Sequence, residues 1–192
     1  SIDRAEALAM PGVVAVWTAG DIPEVPPVDF REGSIPALDA YRQPVLADGR
    51  VRYVGEPVAA VFAEDAYLAE DAAEKVRVEV KELPVTLSAE EPPGEFEAGR
   101  DTEAAVVKQG YGDIEAAFAS AHKVVELELS VGRHSGVPME TRGAIGRYDA
   151  AADMLELHGA AKVPHKNREL LARMLGRRLS SINLYAYHVG SG

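Results

Sequence analysis

The chain has 192 residues, 47% hydrophobic and 27% charged, enough for one large domain or two small ones around a real core. A net charge of −11 argues against a nucleic-acid partner, since phosphate contacts need clustered Lys and Arg. There is no cysteine, which excludes disulfides, thiolate metal sites, cysteine nucleophiles and iron–sulfur ligation within these residues.

Between Glu64 and Glu103 thirteen acidic residues face four basic ones, which reads first as a well-solvated surface and second as a contact for a basic partner subunit. No apolar run approaches the roughly 20 residues that span a bilayer, and no basic-then-apolar signal segment opens the chain. A cytoplasmic protein with no membrane span is the expectation. The missing initiator Met and the stop at Gly190-Ser191-Gly192, just after a predicted strand, read as an internal piece of a longer protein.

In chain order, residues 3–10 predict a short helix with Asp3 as its cap and Pro11-Gly12 as its stop. Val13-Val14-Ala15-Val16-Trp17 predicts a buried strand, and residues 21–46 a long surface excursion rich in Pro and acids. Residues 57–63 are apolar without alternation, as in a strand central in its sheet with both faces covered. Asp65 caps a helix to about Lys75 with Leu68, Ala69, Ala72, Ala73 and Val76 on one stripe. Val76, Val78 and Val80 then alternate with charged residues, so that 57–80 reads as a β-α-β unit.

Residues 84–105 hold Pro84, Pro92, Pro93 and Gly94 among many acids and suit a domain boundary. Asp113 caps a second helix whose Ile114, Ala117, Phe118 and Ala121 share a face. Val125, Leu127, Leu129 and Val131 alternate with Glu126, Glu128 and Ser130, a strand with one wet face. Residues 141–148 and 154–158 predict a hairpin. Pro164 opens a helix that Gly176 ends, and 182–185 form a last strand.

Candidates for chemistry are sparse. His122, His134, His158, His165 and His188 make no metal-ligand spacing, and ordinary surface or hydrogen-bonded histidines are the better reading. Ser180 and Ser181 lack a nucleophile-elbow context, and no phosphate-cradling glycine motif occurs. Glu140, Asp149 and Glu156 have no spacing that demands an acid/base pair. Lys162, Lys166, Arg168, Arg173, Arg177 and Arg178 form a basic cluster that suits a solvated helix face better than an anion site. The residues thus give an α/β (α+β) protein in two parts, with no catalytic constellation and no metal ligands.

Three segments carry a resemblance. Ile2-Asp3 with Ala7-Leu8-Ala9-Met10-Pro11-Gly12-Val13 is the first. Val51-Arg52-Tyr53-Val54-Gly55-Glu56-Pro57-Val58-Ala59-Ala60-Val61, followed by Ala69-Glu70-Asp71-Ala72-Ala73 and Leu83-Pro84, is the second. These resemble the α/β hammerhead domain of molybdenum hydroxylase large subunits, the family of xanthine dehydrogenase, aldehyde oxidase and aerobic carbon monoxide dehydrogenase. Arg133-His134, Pro138-Met139-Glu140-Thr141-Arg142-Gly143-Ala144, Pro164-His165, Arg168, Leu171-Ala172, Leu175-Gly176 and His188-Val189-Gly190 resemble the start of the molybdopterin-binding domain that follows it.

The resemblance implies a hammerhead over 1–85 that lacks its first strands, a linker over 86–108, and the truncated start of a molybdopterin-binding domain over 109–192. It implies molybdenum–molybdopterin in the full protein, iron–sulfur clusters and FAD on partner subunits or domains, and a homodimer of heterotrimers. The reaction implied is hydroxylation of an aldehyde, an N-heterocycle or a similar small molecule with oxygen from water. The family's catalytic Glu lies far beyond residue 192, so no catalytic residue is expected here, and the fragment alone is expected to hold no cofactor and to be inactive. The expected cofactor contacts are Lys162, Gly190 and Gly192. Lys162 stands where many members carry a Gln, which exchanges an amide donor and acceptor for a charge and argues against a xanthine or carbon monoxide specialist. Gly190 and Gly192 flank Ser191 where the family's glycine-rich loop begins. The rival expectations are a non-catalytic homologue or scaffold domain and an independent hammerhead binding module.

Overall fold

A computed structural model describes residues 1–28, 35–88, 90–132, 137, 142–159 and 161–188. The order of elements is β1 (Ile2–Asp3), α1 (Ala5–Leu8), β2 (Val13–Trp17), β3 (Ala60–Ala63), α2 (Ala66–Glu74), β4 (Arg77–Val78), β5 (Glu95–Glu97), β6 (Arg100–Asp101), α3 (Ile114–Ser120), β7 (Ile145–Asp149), β8 (Met154–Gly159), α4 (Pro164–Met174) and β9 (Ile182–Ala186). The mixture of short helices and open sheets is the α+β class that the sequence predicts.

The first core forms between helices and a two-stranded ribbon. β2 and β3 pair antiparallel with Val16 opposite Val61. Ala7 of α1, Val16 and Ala72 of α2 are buried together, with Met10, Val13, Ala59, Val61 and Val76 packed around them. Alanine at positions 7 and 72 lets two helix backbones approach the ribbon closely. Asp65 caps α2 by accepting from the Leu68 amide at 2.9 Å, as its sequence position predicts. Asp3 lies in β1, and the helix after it is shorter than expected. Its carboxylate accepts from the Ala5 amide at 3.0 Å, so it still closes the start of that turn.

Gly12 is a position where only glycine fits. Its φ of +86° is left-handed, and an added Cβ would stand 2.6 Å from Leu68 Cδ2. The carbonyl of Gly12 accepts from Glu64 N at 3.0 Å and joins the ends of the ribbon.

Three expectations need correction here. The strand read from 57–63 is shorter, and among the described residues it is not central: β3 pairs there with β2 in a two-stranded sheet. β2 is likewise half-buried, with Val14 72% exposed and the Trp17 and Phe62 rings in tilted contact on the open face, 4.6 Å between centroids and 57° between planes. The apolar run implies two covered faces, whereas α1 and α2 cover only one. The β-α-β unit also does not close in one sheet. β4 pairs antiparallel with β1, Ile2 opposite Val78, and leaves β3 in the other ribbon.

The stretch 94–102 carries a hairpin, β5–β6, that composition did not signal. It is held against the excursion that precedes β3. Tyr41 Oη donates to the Asp101 carbonyl at 2.9 Å and accepts from the Asp101 amide at 2.7 Å, and the Arg50 guanidinium lies 5.5 Å from the Phe96 ring centre. Asp113 caps α3 through the Ala116 amide at 2.9 Å, as predicted. The strand expected at 125–131 is absent: no strand is assigned between residues 122 and 132.

The second unit is a three-stranded sheet in the order β7-β8-β9. β7 and β8 form the predicted hairpin. β8 and β9 run parallel, so α4 is the crossover between them and packs on β9. Pro164 opens α4 and Gly176, at φ +61°, closes it. The Gly176 amide donates to Arg173 O at 3.2 Å and the Arg177 amide to Ala172 O at 2.8 Å, the paired bonds of a Schellman stop. Ile182 is fully buried beneath the helix with Ala172 nearly so.

Candidate functional site

The parallel β8–α4–β9 crossover sets one concave feature. A cleft of about 280 Å³ opens where the first turn of α4 faces the far half of β9, lined by Pro164, His165, Arg168, Asn183, Tyr185 and the backbone neighbours of β9. Pro164 contributes no N–H, so the first turn presents its remaining amides toward this end. Arg168 is fixed in place. Its Nε and Nη2 donate to the Leu179 carbonyl at 3.2 and 2.8 Å, which ties α4 to the turn before β9.

The side of the sheet carrying Tyr185 also carries a stacked aromatic group. His158 of β8 lies parallel to Tyr185 at 4.6 Å between ring centres, with an interplanar angle of 17°, and its Nδ1 is 2.9 Å from Tyr187 Oη. The strand register produces this, because His158 stands opposite Tyr185. His158 is therefore a hydrogen-bonded sheet histidine, the ordinary reading of its sequence. His122, His165 and His188 are exposed, and His134 lies outside the described residues. Among the described residues no three His, Cys, Asp or Glu side chains come together as a metal site.

The other candidates disperse. Asp149 caps its own turn by accepting from the Ala151 and Ala152 amides at 2.9 and 3.1 Å. Glu156 faces Arg147 across the hairpin at 3.6 Å, and Glu140 lies outside the described residues. The basic cluster is shared out in the same way. Lys166 faces Glu169 at 3.6 Å, while Arg177 pairs with Asp153 and stacks over Tyr148 at 5.3 Å. The Arg177 hydrogen bond, backed by the Tyr148 hydroxyl, holds the Asp153 carboxyl below its ordinary range. Ser181 donates to the Arg178 carbonyl at 2.8 Å and has no nucleophile geometry.

A buried ionic clamp lies in the longest motif of the sequence. Glu56 is almost wholly covered, yet its carboxylate accepts from the Arg52 amide at 2.6 Å, from Arg52 Nε at 2.9 Å and from Arg52 Nη2. Burial pushes the Glu56 carboxyl up, and the Arg52 hydrogen bonds outweigh it and hold the group below the ordinary glutamate range. Gly55 at φ +87° makes the turn that aims Glu56 back at Arg52. Arg52-Tyr53-Val54-Gly55-Glu56 is thus a structural loop.

Two protein-family descriptions match the chain in succession. Residues 1–84 match the aldehyde oxidase and xanthine dehydrogenase a/b hammerhead domain, and residues 96–192 match the molybdopterin cofactor-binding domain. The chain belongs to the family of molybdenum hydroxylase large subunits. It is 42% identical over its full length to the gamma subunit of the 6-hydroxypseudooxynicotine dehydrogenase complex of Paenarthrobacter nicotinovorans, covering 25% of that protein. It is 33% identical to the nicotine 6-hydroxylase large subunit of the same organism, covering 24%. Among solved structures, quinoline 2-oxidoreductase from Pseudomonas putida 86 superposes with a TM-score of 0.77 at 32% identity. Cu,Mo-CO dehydrogenase superposes with 0.78 at 30%. All of the chain and 25% and 26% of those chains are covered. The chain therefore spans about a quarter of the length of the molybdenum hydroxylase subunits it matches.

With the family in hand, the expected cofactor contacts can be located. Lys162 is exposed in the connection between β8 and α4, two residues before Pro164, and is not among the residues that line the cleft. Gly190 and Gly192 lie outside the described residues, two and four positions beyond His188. The donor set suits an organic cofactor and not a bare metal. Arg168, His165, Asn183 and Tyr185 are among the residues that line the cleft, and no metal-ligand cluster exists among the described residues. The cleft, at about 280 Å³, is open to one side. Asn183 and Tyr185 entered the sequence reading only as strand residues. Their tie to His165 and Arg168 depends on the parallel pairing of β8 and β9. Among the described residues, no helix is long and apolar enough to cross a membrane.

Proposed function

We propose that this chain is the hammerhead and the opening part of the molybdopterin-binding domain in the large subunit of a hydroxylase acting on a small N-heterocyclic or related molecule. The hammerhead is placed over 1–85, a linker over 86–108 and the cofactor-facing part over 109–192. The observation that carries the reading is the similarity, over the whole chain and at 42% identity, to the gamma subunit of a 6-hydroxypseudooxynicotine dehydrogenase complex. When bound, the molybdenum–molybdopterin cofactor supplies oxygen from water and accepts two electrons. Iron–sulfur clusters and FAD would be held by partner subunits or domains and would accept those electrons, in a cytoplasmic homodimer of heterotrimers.

The chain's own residues orient and enclose. Lys162, Gly190 and Gly192 contact the cofactor from one side, and the first turn of α4 with Arg168 shapes the wall beside them. The charge of Lys162 favours an anionic group at that edge. No general base is assigned in this chain. The rigidity of the wall comes from the Arg168–Leu179 hydrogen bonds and the Schellman stop of α4.

The test is to purify the intact large subunit with its partners from cells that make the cofactor, and to measure molybdenum by elemental analysis and turnover of N-heterocycles. One molybdenum per subunit and activity on such compounds are expected. Metal-free intact subunit would instead support a non-catalytic scaffold. The 192-residue chain alone is expected to carry no molybdenum.

A further inference from the structure

We propose that His158 and Tyr187 are positioning residues whose hydrogen bond sets the spacing of the two chain segments that lead from β8 and β9 toward the cofactor. The inference rests on the reading of this chain as part of a molybdopterin-binding subunit. β8 and β9 run parallel, so both leave the sheet at the same edge, and α4 starts at that edge with Pro164. In open parallel sheets ligands bind beyond the carboxyl ends of the strands. The last paired residues are Gly159 and Ala186. Lys162 follows three positions after Gly159, and Gly190 four positions after Ala186. The two proposed contacts therefore follow closely on the ends of one strand pair.

One side-chain bond reaches past the end of this ladder. His158 stands opposite Tyr185 and stacks on it, and Tyr187 is its diagonal neighbour. The Tyr187 ring centre lies 6.1 Å from that of His158 at an interplanar angle of 19°, and Tyr187 Oη is 2.9 Å from His158 Nδ1. The bond thus takes hold one residue beyond the last backbone pair. The exit of β8 is also seated on its other edge. A Cβ on Gly159 would stand 3.0 Å from the Gly143 carbonyl oxygen, on the chain that enters β7. Burial does not account for the pair. Tyr187 is 65% exposed, so water would satisfy its hydroxyl without His158. What the bond adds is geometry, and it holds in either ionisation of the imidazole. Tyr187 Oη donates to a neutral Nδ1 or accepts from a protonated one. Misplacing a group in a reacting site by about 1 Å costs up to about 100-fold in rate. In this role His158 and Tyr187 touch neither cofactor nor substrate and act through the segments they hold.

The test uses the intact large subunit in its purified complex, as parent and as Tyr187→Phe, His158→Phe, their double variant and His158→Asn. The two phenylalanine variants keep a ring and remove the bond. His158→Asn removes the ring and keeps an amide close to the place of Nδ1. Two quantities are read. One is the rate of molybdenum loss on incubation, by elemental analysis. The other is the pair kcat and KM on pyridine or quinoline, whichever the parent turns over faster. Tyr187→Phe and His158→Phe are expected to lose molybdenum about 3–10-fold faster and to lower kcat by a similar factor at unchanged KM. The double variant is expected to be no worse than either single one, and His158→Asn to stay within about twofold of the parent. Tyr187→Phe indistinguishable from the parent in both quantities overturns the proposal. So do additive losses in the double variant. A loss in His158→Asn as large as that in His158→Phe also overturns it, since the bond would then not be what matters. A fully loaded parent with unaffected variants removes this proposal alone. A molybdenum-free parent removes the functional reading and the proposal with it.

Discussion

Glu56 shows what a single residue decides in this chain. Its carboxylate is buried, and three donors of one arginine hold it ionised. Glu56→Gln keeps the shape and removes the charge-assisted bonds, and Arg52 remains wet enough to be rehydrated. A loss of about 1–3 kcal/mol is expected at neutral pH. The folded-state pKa is depressed, so this contribution is complete above the ordinary glutamate value and fades as pH falls through the folded value. Urea melts of the parent and the variant should differ by a constant amount above about pH 5 and converge in acid. A gap that persists unchanged at pH 3 would assign the effect to packing.

At the scale of elements, the β2–β3 ribbon has one face against α1 and α2 and one in solvent. Val61 stands opposite Val16 on the covered face and Val14 on the open one. Val61 is partly buried against the core that Val16 belongs to, so Val61→Asp desolvates a carboxylate in part and should cost on the order of 1–2 kcal/mol, lowering the melting temperature of this unit by about 5 °C or more. Val14→Asp should move it by about 2 °C or less. Equal effects from the two variants would mean that both faces are covered. Local signals fixed the ends of these elements in advance. Asp65, Asp113, Pro164 and Gly176 sit at the starts and stops they predicted, because a cap needs only its own next three residues or a left-handed φ.

Across the whole molecule, exposed backbone without strand or helix pairing runs on both sides of the β5–β6 hairpin. The hairpin itself is tethered through Tyr41. Trypsin should therefore cut first at Lys81 or Lys108, leaving the β2–β3–α2 core and the β7–β8–β9 sheet in separate fragments. First cuts at Lys166 or Arg173 inside α4 would count against two separately folded units.

What the sequence by itself determined is the family, the class of fold and the boundaries of most helices. Strings such as Arg52-Tyr53-Val54-Gly55-Glu56-Pro57 carry that information in residue order, and capping is a local event. The tertiary structure alone decided which strands pair. β4 joins β1 in place of β3, β3 lies at an edge, and 123–131 has no partner among the described residues. An apolar run or an alternating one states which faces need covering, but the cover comes from residues distant in sequence. The cleft beside α4 has the same origin. Arg168 and Tyr185 are seventeen positions apart, and only the parallel register of β8 with β9 and the crossing of α4 over that sheet bring them to one wall.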